Sequence, residues 1–221
     1  MLTSSFASVI DVNTTQPTGF TYTGAHWNPL SYSEAIHPDT NAVVAYRGSK
    51  KFAELAAWEF VSAQKRNFDL VTFCPPMTFG PVAHPVQDAS GLNESNARLW
   101  EIARGGMPSS RVPVWVDVRD LAMAHVEGVF GGGVGMGRFV PAAERKFSYE
   151  VAARILRERF AEKGAREWVK DVGDARAPER GYELDGQAVT RGLGVRFREF
   201  DETVVDLFVG LREKGMDPWK E

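Results

Sequence analysis

The chain carries one cysteine, Cys74, in 221 residues. That excludes an internal disulfide and any cysteine-built zinc cluster, and it suits a reducing compartment, so a cytoplasmic location is expected. No run approaches the ~18 apolar residues of a membrane span, and none is expected. The opening MLTSSFASVI has neither the basic flank nor the length of a signal peptide. Neither sign of charge is in large excess: 26 basic side chains face 29 acidic ones, a net charge of −3 scattered along the chain. Nothing gathers cations to neutralise phosphates, so nucleic acid is not expected as a partner. The histidines His37, His84 and His125 lack metal-ligand spacing, and no metal site is expected. A dinucleotide fingerprint is missing too. GGGVGMG (131–137) fits no register of G-x-G-x-x-G, and it follows a helical stretch and precedes a strand, the reverse of what a phosphate-binding turn requires. It reads as a flexible connection.

What is present is 43% apolar residues, enough for one domain over 1–221 with a small second lobe. Apolar residues at helical spacing predict a helix from Asn41 to about Lys65, capped by Asp39, Thr40 or Asn41. FDLVTFC (68–74), closed by Pro75 and Pro76, reads as a buried parallel strand. Helix 93–105, strand 112–118, helix 120–130 capped by Asp120, and strand 137–142 continue the alternation. Helix 148–160 capped by Ser148 and helix 201–215 capped by Asp201 complete it. This is α/β grammar. Leu55, Trp58 and Phe60 on the first helix are expected in the core. Asp117, Arg119 and Asp120 are expected to form a buried ion pair and a cap rather than to perform chemistry.

The stretch AYRGSK (45–50) carries the chemistry. Positions i and i+4 share a helix face, so Tyr46 and Lys50 project side by side. A phenol is a poor acid or base near neutrality, and a neighbouring ammonium favours its phenolate form, which equips a tyrosine to exchange a proton with a substrate oxygen. A tyrosine and a lysine at this spacing also occur as packing and solvated neighbours, so the pair needs company. That company is Ser4-Ser5, at the end of a short β-like run, where a hydroxyl would sit at the C-terminal edge of a sheet. Ser4 reads as a turn residue bonding backbone.

TSSFA followed by AYRGSKKFAE resembles the Ser…Tyr-x-x-x-Lys arrangement of the extended short-chain dehydrogenase/reductase superfamily, also known as the NAD-dependent epimerase/dehydratase family. CPPMTFGP (74–81), VDVRDLAMAH (116–125) and the closing RGLGVRFREFDETVVDLFVGLRE are similar to further segments of it, so the resemblance spans nearly the whole chain. GSKKFAE with LTSS and VDVRD is most similar to the dihydroflavonol reductase-like branch, with its methylglyoxal and aldehyde reductases. The resemblance implies a Rossmann-like parallel sheet with a small carboxyl-terminal substrate-binding lobe: residues 1 to about 80 form the second half of the Rossmann fold, and about 81 to 221 the remaining strands interleaved with the lobe. It implies NADP as cofactor and a small-molecule ketone or aldehyde as substrate. Ser5 would hydrogen-bond the carbonyl, Tyr46 donate the proton, and Lys50 hold the nicotinamide ribose, with Tyr46 and Pro75 also on the cofactor side. Phe6, Met77 and Phe79, with Pro76 and Trp115, would line an apolar pocket.

In the family the glycine turn precedes the catalytic serine by over a hundred residues, so the chain is expected to be the carboxyl-terminal two-thirds of a reductase, completed by a missing amino-terminal segment or a second chain. Alone, it is expected to bind NADPH at about the millimolar level or worse. Two alternatives stay open: a nucleotide-sugar epimerase or dehydratase using the same triad, and a non-catalytic remnant.

Overall fold

The computed structural model describes residues 1–63, 67–109, 112–131, 135–179 and 181–220. The strands are β1 (Leu2–Thr3), β2 (Thr21–Tyr22), β3 (Val71–Phe73), β4 (Met77–Phe79), β5 (Trp115–Asp117), β6 (Gly137–Phe139) and β7 (Glu183–Leu184). The helices are α1 (Tyr32–Ala35), α2 (Ala42–Ala63), α3 (Glu94–Ala103), α4 (Val118–Phe130), α5 (Tyr149–Arg159), α6 (Ala165–Trp168), α7 (Gln187–Leu193) and α8 (Phe200–Glu213). Every described strand pairing is parallel, as expected of an α/β chain. The chain divides into two compact units.

The first unit comprises Met1–Pro76, Leu121–Ala142 and Arg180–Arg196. Its sheet runs β1-β3-β6, with Leu2 opposite Thr72 and Val71 opposite Gly137. β3 lies in the middle and is buried at all three residues, which is why it reads as a continuous apolar and β-branched run instead of an alternation. β2 and β7 form a separate pair. Helix α2 starts where the Asn41 side chain accepts the amides of Val43 and Val44, both at 3.1 Å, which settles the choice among the three expected caps. It is described to Ala63; the expected end at Lys65 lies outside the described residues. α1 opens on a capping box in which Ser31 and Glu34 satisfy each other's backbone amides.

Gly48 allows α1 and α2 to meet. A Cβ built there would stand 2.3 Å from Cβ of Ala35, inside any tolerable contact. The expectation that Phe60 is core is corrected: it is 48% exposed, because α2 buries Gly48, Glu54 and Val61 and turns Phe60 away from them. Leu55 and Trp58 are half-buried.

The second unit comprises Met77–Asp120, Ala143–Glu179 and Phe197–Glu221. It packs helices α3, α5 and α8 with the β4–β5 pair around a continuous apolar core that includes Phe79, Leu99, Trp115, Phe147, Leu156 and Phe208. Ser148 caps α5 as expected, accepting the Val151 amide at 3.2 Å. Two other expected caps are corrected. Asp120 lies inside α4, which begins at Val118, and its carboxylate receives the Arg198 amide at 2.7 Å and the Arg198 guanidinium. Asp201 lies inside the first turn of α8, after Glu199, and pairs with Arg159. The buried ion pair is present: Arg119 clamps Asp117, which also accepts the Thr203 hydroxyl at 2.6 Å. Of the glycine-rich connection, residues 132–134 lie outside the described residues.

Candidate active site in the first unit

The end of β1 is stitched to the end of β3 by two backbone bonds, Ser4 N–H to Phe73 O at 2.7 Å and Phe6 N–H to Pro75 O at 2.9 Å. Ser5 sits between them. Its backbone is extended, and its side chain caps the 3₁₀ turn Phe6–Ser8 by accepting the Ala7 amide at 3.1 Å. The serine hydroxyl is thereby held at the C-terminal edge of the parallel sheet, where open α/β folds place their ligands.

Helix α2 brings Tyr46 to this edge. The Tyr46 hydroxyl is 3.5 Å from Ser5 Oγ, at the outer limit of a hydrogen bond, and the tyrosine is 51% exposed. Lys50, one turn on, holds its Nζ 5.8 Å from the centroid of the Tyr46 ring, within reach of its π face. Two hydroxyls and an ammonium therefore converge on accessible surface. Pro75 is half-buried, and its carbonyl is tied to the residue after Ser5.

The five expected pocket residues are placed differently from one another. Phe6 is buried in the first unit, with its ring 5.5 Å from Tyr22 and 5.8 Å from Tyr182. In the second unit, Phe79 is fully buried against Phe147 and Phe200, as is Trp115, whose indole N–H donates to Arg145 O. Phe79 and Trp115 thus offer no surface to a substrate and serve as core. Met77 and Pro76 are half-buried.

Sequence reasoning missed a buried polar network in the first unit. Glu54 lies on α2 one turn beyond Lys50, and its side chain is fully buried. Its Oε2 accepts the hydroxyls of Ser4 and Ser8, both at 2.6 Å. Its Oε1 accepts Thr72 Oγ1 at 2.9 Å and Arg138 Nε at 2.7 Å. Cys74 Sγ is 3.5 Å from both oxygens. Arg138, on β6, also donates to Gly24 O and His26 O, and its guanidinium lies 3.7 Å from the centroid of the Trp27 ring. Burial pushes the Glu54 carboxyl up, but the hydrogen bonds from Arg138, Ser4 and Ser8 outweigh it and leave the pKa at about 2. Ser4 is accordingly corrected from a backbone-bonding turn residue to a donor to this carboxylate. A signal was available in the sequence: Arg138 interrupts the apolar strand GRFVPA, and Glu54 follows Tyr46 and Lys50 at the same four-residue spacing.

No protein-family model matches the chain. It is similar to a ketoreductase of Aspergillus niger, 35% identical over 221 aligned residues that cover 97% of this chain and 62% of that protein. It is also similar to the NADPH-dependent methylglyoxal reductase of Saccharomyces cerevisiae, 32% identical over 213 residues, covering 93% of this chain and 61% of that protein. The chain spans about three-fifths of the length of the curated relatives it matches. Among solved structures it resembles yeast methylglyoxal/isovaleraldehyde reductase complexed with NADPH, with a TM-score of 0.79 and 29% identity over 98% of this chain and 64% of that one. A UDP-glucose 4-epimerase also matches, with a TM-score of 0.60, but at 14% identity that likeness shows the fold alone.

Proposed function

We propose, for a chain whose relatives and structural neighbours are NAD(P)-dependent reductases of the extended short-chain dehydrogenase/reductase type, that its site serves the NADPH-dependent reduction of a small aldehyde or ketone. The observation that carries this reading is the convergence of Ser5, Tyr46 and Lys50 on one exposed edge of the sheet, with the Ser5 and Tyr46 hydroxyls 3.5 Å apart. Relatives named as reductases of ketones or of methylglyoxal support it.

The residues present fit a nicotinamide cofactor at its reactive end. Tyr46 is half exposed, Lys50 and Pro75 have accessible surface, and an ammonium beside a phenol suits a ribose hydroxyl. Lys50, Tyr46 and Pro75 would hold that end, and when bound the cofactor supplies the hydride that reduces the carbonyl carbon. The chain's own residues do the rest. Ser5 Oγ, fixed by the Ala7 amide, and the Tyr46 hydroxyl present two donors to a carbonyl oxygen, polarising it and orienting it. Tyr46 then gives its proton to that oxygen as negative charge develops there, and Lys50 stabilises the phenolate left behind. The single cysteine, buried and reduced, fits the cytoplasm.

The test is turnover of the purified full-length protein with NADPH and a small carbonyl compound such as methylglyoxal, followed by loss of NADPH absorbance. Tyr46→Phe is expected to lower kcat by about two orders of magnitude or more, with little change in NADPH affinity. A Tyr46→Phe variant that turns over normally, or a full-length protein that reduces no aldehyde or ketone, would overturn the reading.

A further inference from the structure

The Ser5–Tyr46 contact is long, at 3.5 Å, and its two partners come from segments 41 residues apart in the chain. Some other interaction must set that spacing. Ser4 and Ser8 flank Ser5, and both hydroxyls donate at 2.6 Å to the same oxygen of Glu54, on the helix that carries Tyr46 and Lys50. The opposite oxygen is occupied by Thr72 from β3 and Arg138 from β6. One carboxylate thus joins the end of β1, the 3₁₀ turn, α2, β3 and β6.

We propose that Glu54 is a positioning residue of this site, fixing the Ser5 turn against the face of α2 that presents Tyr46 and Lys50. A buried ion pair is a poor device for stability alone, because desolvation offsets most of its attraction and an apolar pair of similar volume would pack as well. What the carboxylate adds is a set of acceptor positions that several donors must meet at once, which defines a single geometry. Arg138 keeps that carboxylate in place. It is itself immobilised by Gly24 O, His26 O and the face of Trp27, so the anchor does not wander. The Gly24 backbone lies so close to β6 that a Cβ there would fall 1.8 Å from Arg138 O. Catalysis tolerates little displacement: a shift of about 1 Å in a reacting group can cost about a hundredfold in rate. The effect on turnover rests on the reductase reading above, whereas the effect on the Ser5 turn does not.

The decisive variants are Ser4→Ala and Ser4→Ala/Ser8→Ala. The first removes the turn's Ser4 tie to Glu54 and keeps the Ser8 tie. The second removes both hydroxyls that reach Glu54, together with the Ser8 hydroxyl's contacts to Ser5 O and Arg138. Both leave the Glu54–Arg138 pair intact. Both are expected to lower kcat, the double variant about tenfold or more, while NADPH affinity stays within about twofold. They should also accelerate amide hydrogen exchange at residues 5–9 without accelerating it in the second unit. Glu54→Gln should act in the same direction. If the double variant does not fold, Ser4→Ala alone carries both readouts. Wild-type turnover together with unchanged exchange at residues 5–9 would overturn the proposal, as would full turnover in Glu54→Leu/Arg138→Met. If the unmodified protein reduces no carbonyl compound, the functional reading fails and local exchange alone decides the role of Glu54.

Discussion

Lys50 holds its ammonium 5.8 Å from the Tyr46 ring centroid and keeps accessible surface of its own, and the proposed mechanism gives it two duties, one toward the proton donor and one toward the cofactor. Lys50→Ala should therefore differ from Tyr46→Phe, raising the dissociation constant of NADPH as well as slowing turnover. An unchanged affinity in a fluorescence titration would remove the ribose from the duties of Lys50. At this scale the sequence was informative where chemistry depends on local spacing. Tyr46 and Lys50 are one helical turn apart, and Ser5 stands at the close of a strand-like run. Glu54 escaped because a carboxylate on a helix is ordinarily a solvated one, and the arginine that justifies burying it lies 84 residues away on β6. Phe79 and Trp115 were misjudged for the opposite reason. Large apolar side chains near a site look the same in sequence whether they line a pocket or fill a core.

Between Tyr46 and Lys50 stands a glycine whose place in the middle of α2 is costly by propensity alone. Alanine is favoured over glycine in a helix interior by about 1 kcal/mol, yet the 2.3 Å approach to Ala35 Cβ leaves no room for it. Overpacking of that kind costs about 1–3 kcal/mol. Gly48→Ala is thus expected to lower the melting temperature by pushing α1 off α2; a rise would show that α1 yields freely. The long elements were legible because each buries a periodic face or a continuous apolar run, and Ser148 and Asn41 cap where a side-chain oxygen precedes such a run. The short elements α1, α6, α7, β2 and β7 were not, since two to seven residues carry too little periodicity to register. Asp120 and Asp201 misled in the same way, each being a cap-type residue one or two positions inside its helix, where it serves an arginine instead.

For the molecule as a whole, buried carboxylates in both units set the response to acid. Glu54 drops from an ordinary 4.5 to about 2 in the folded state. Its stabilisation is thus complete above about pH 5 and disappears as the pH falls toward 2, a loss of about 3 kcal/mol. Asp117 is raised by burial but lowered further by Arg119 and Thr203, so it has the same sign and adds to the acid loss. Asp120, pushed up by burial, opposes them. Denaturant unfolding measured from pH 7 down to pH 3 should show stability falling through that window, with a shallower fall in Glu54→Gln; equal slopes would contradict the assignment. The same network leaves a reporter in place. Burial drives the Cys74 thiol up to about 12, so in the folded protein almost none of it is the nucleophilic thiolate, and its sulfur packs against Glu54. A thiol-specific label should react with it orders of magnitude more slowly than with a free cysteine and only through transient opening, so the labelling rate becomes a clock for how often the ground under Ser5 gives way.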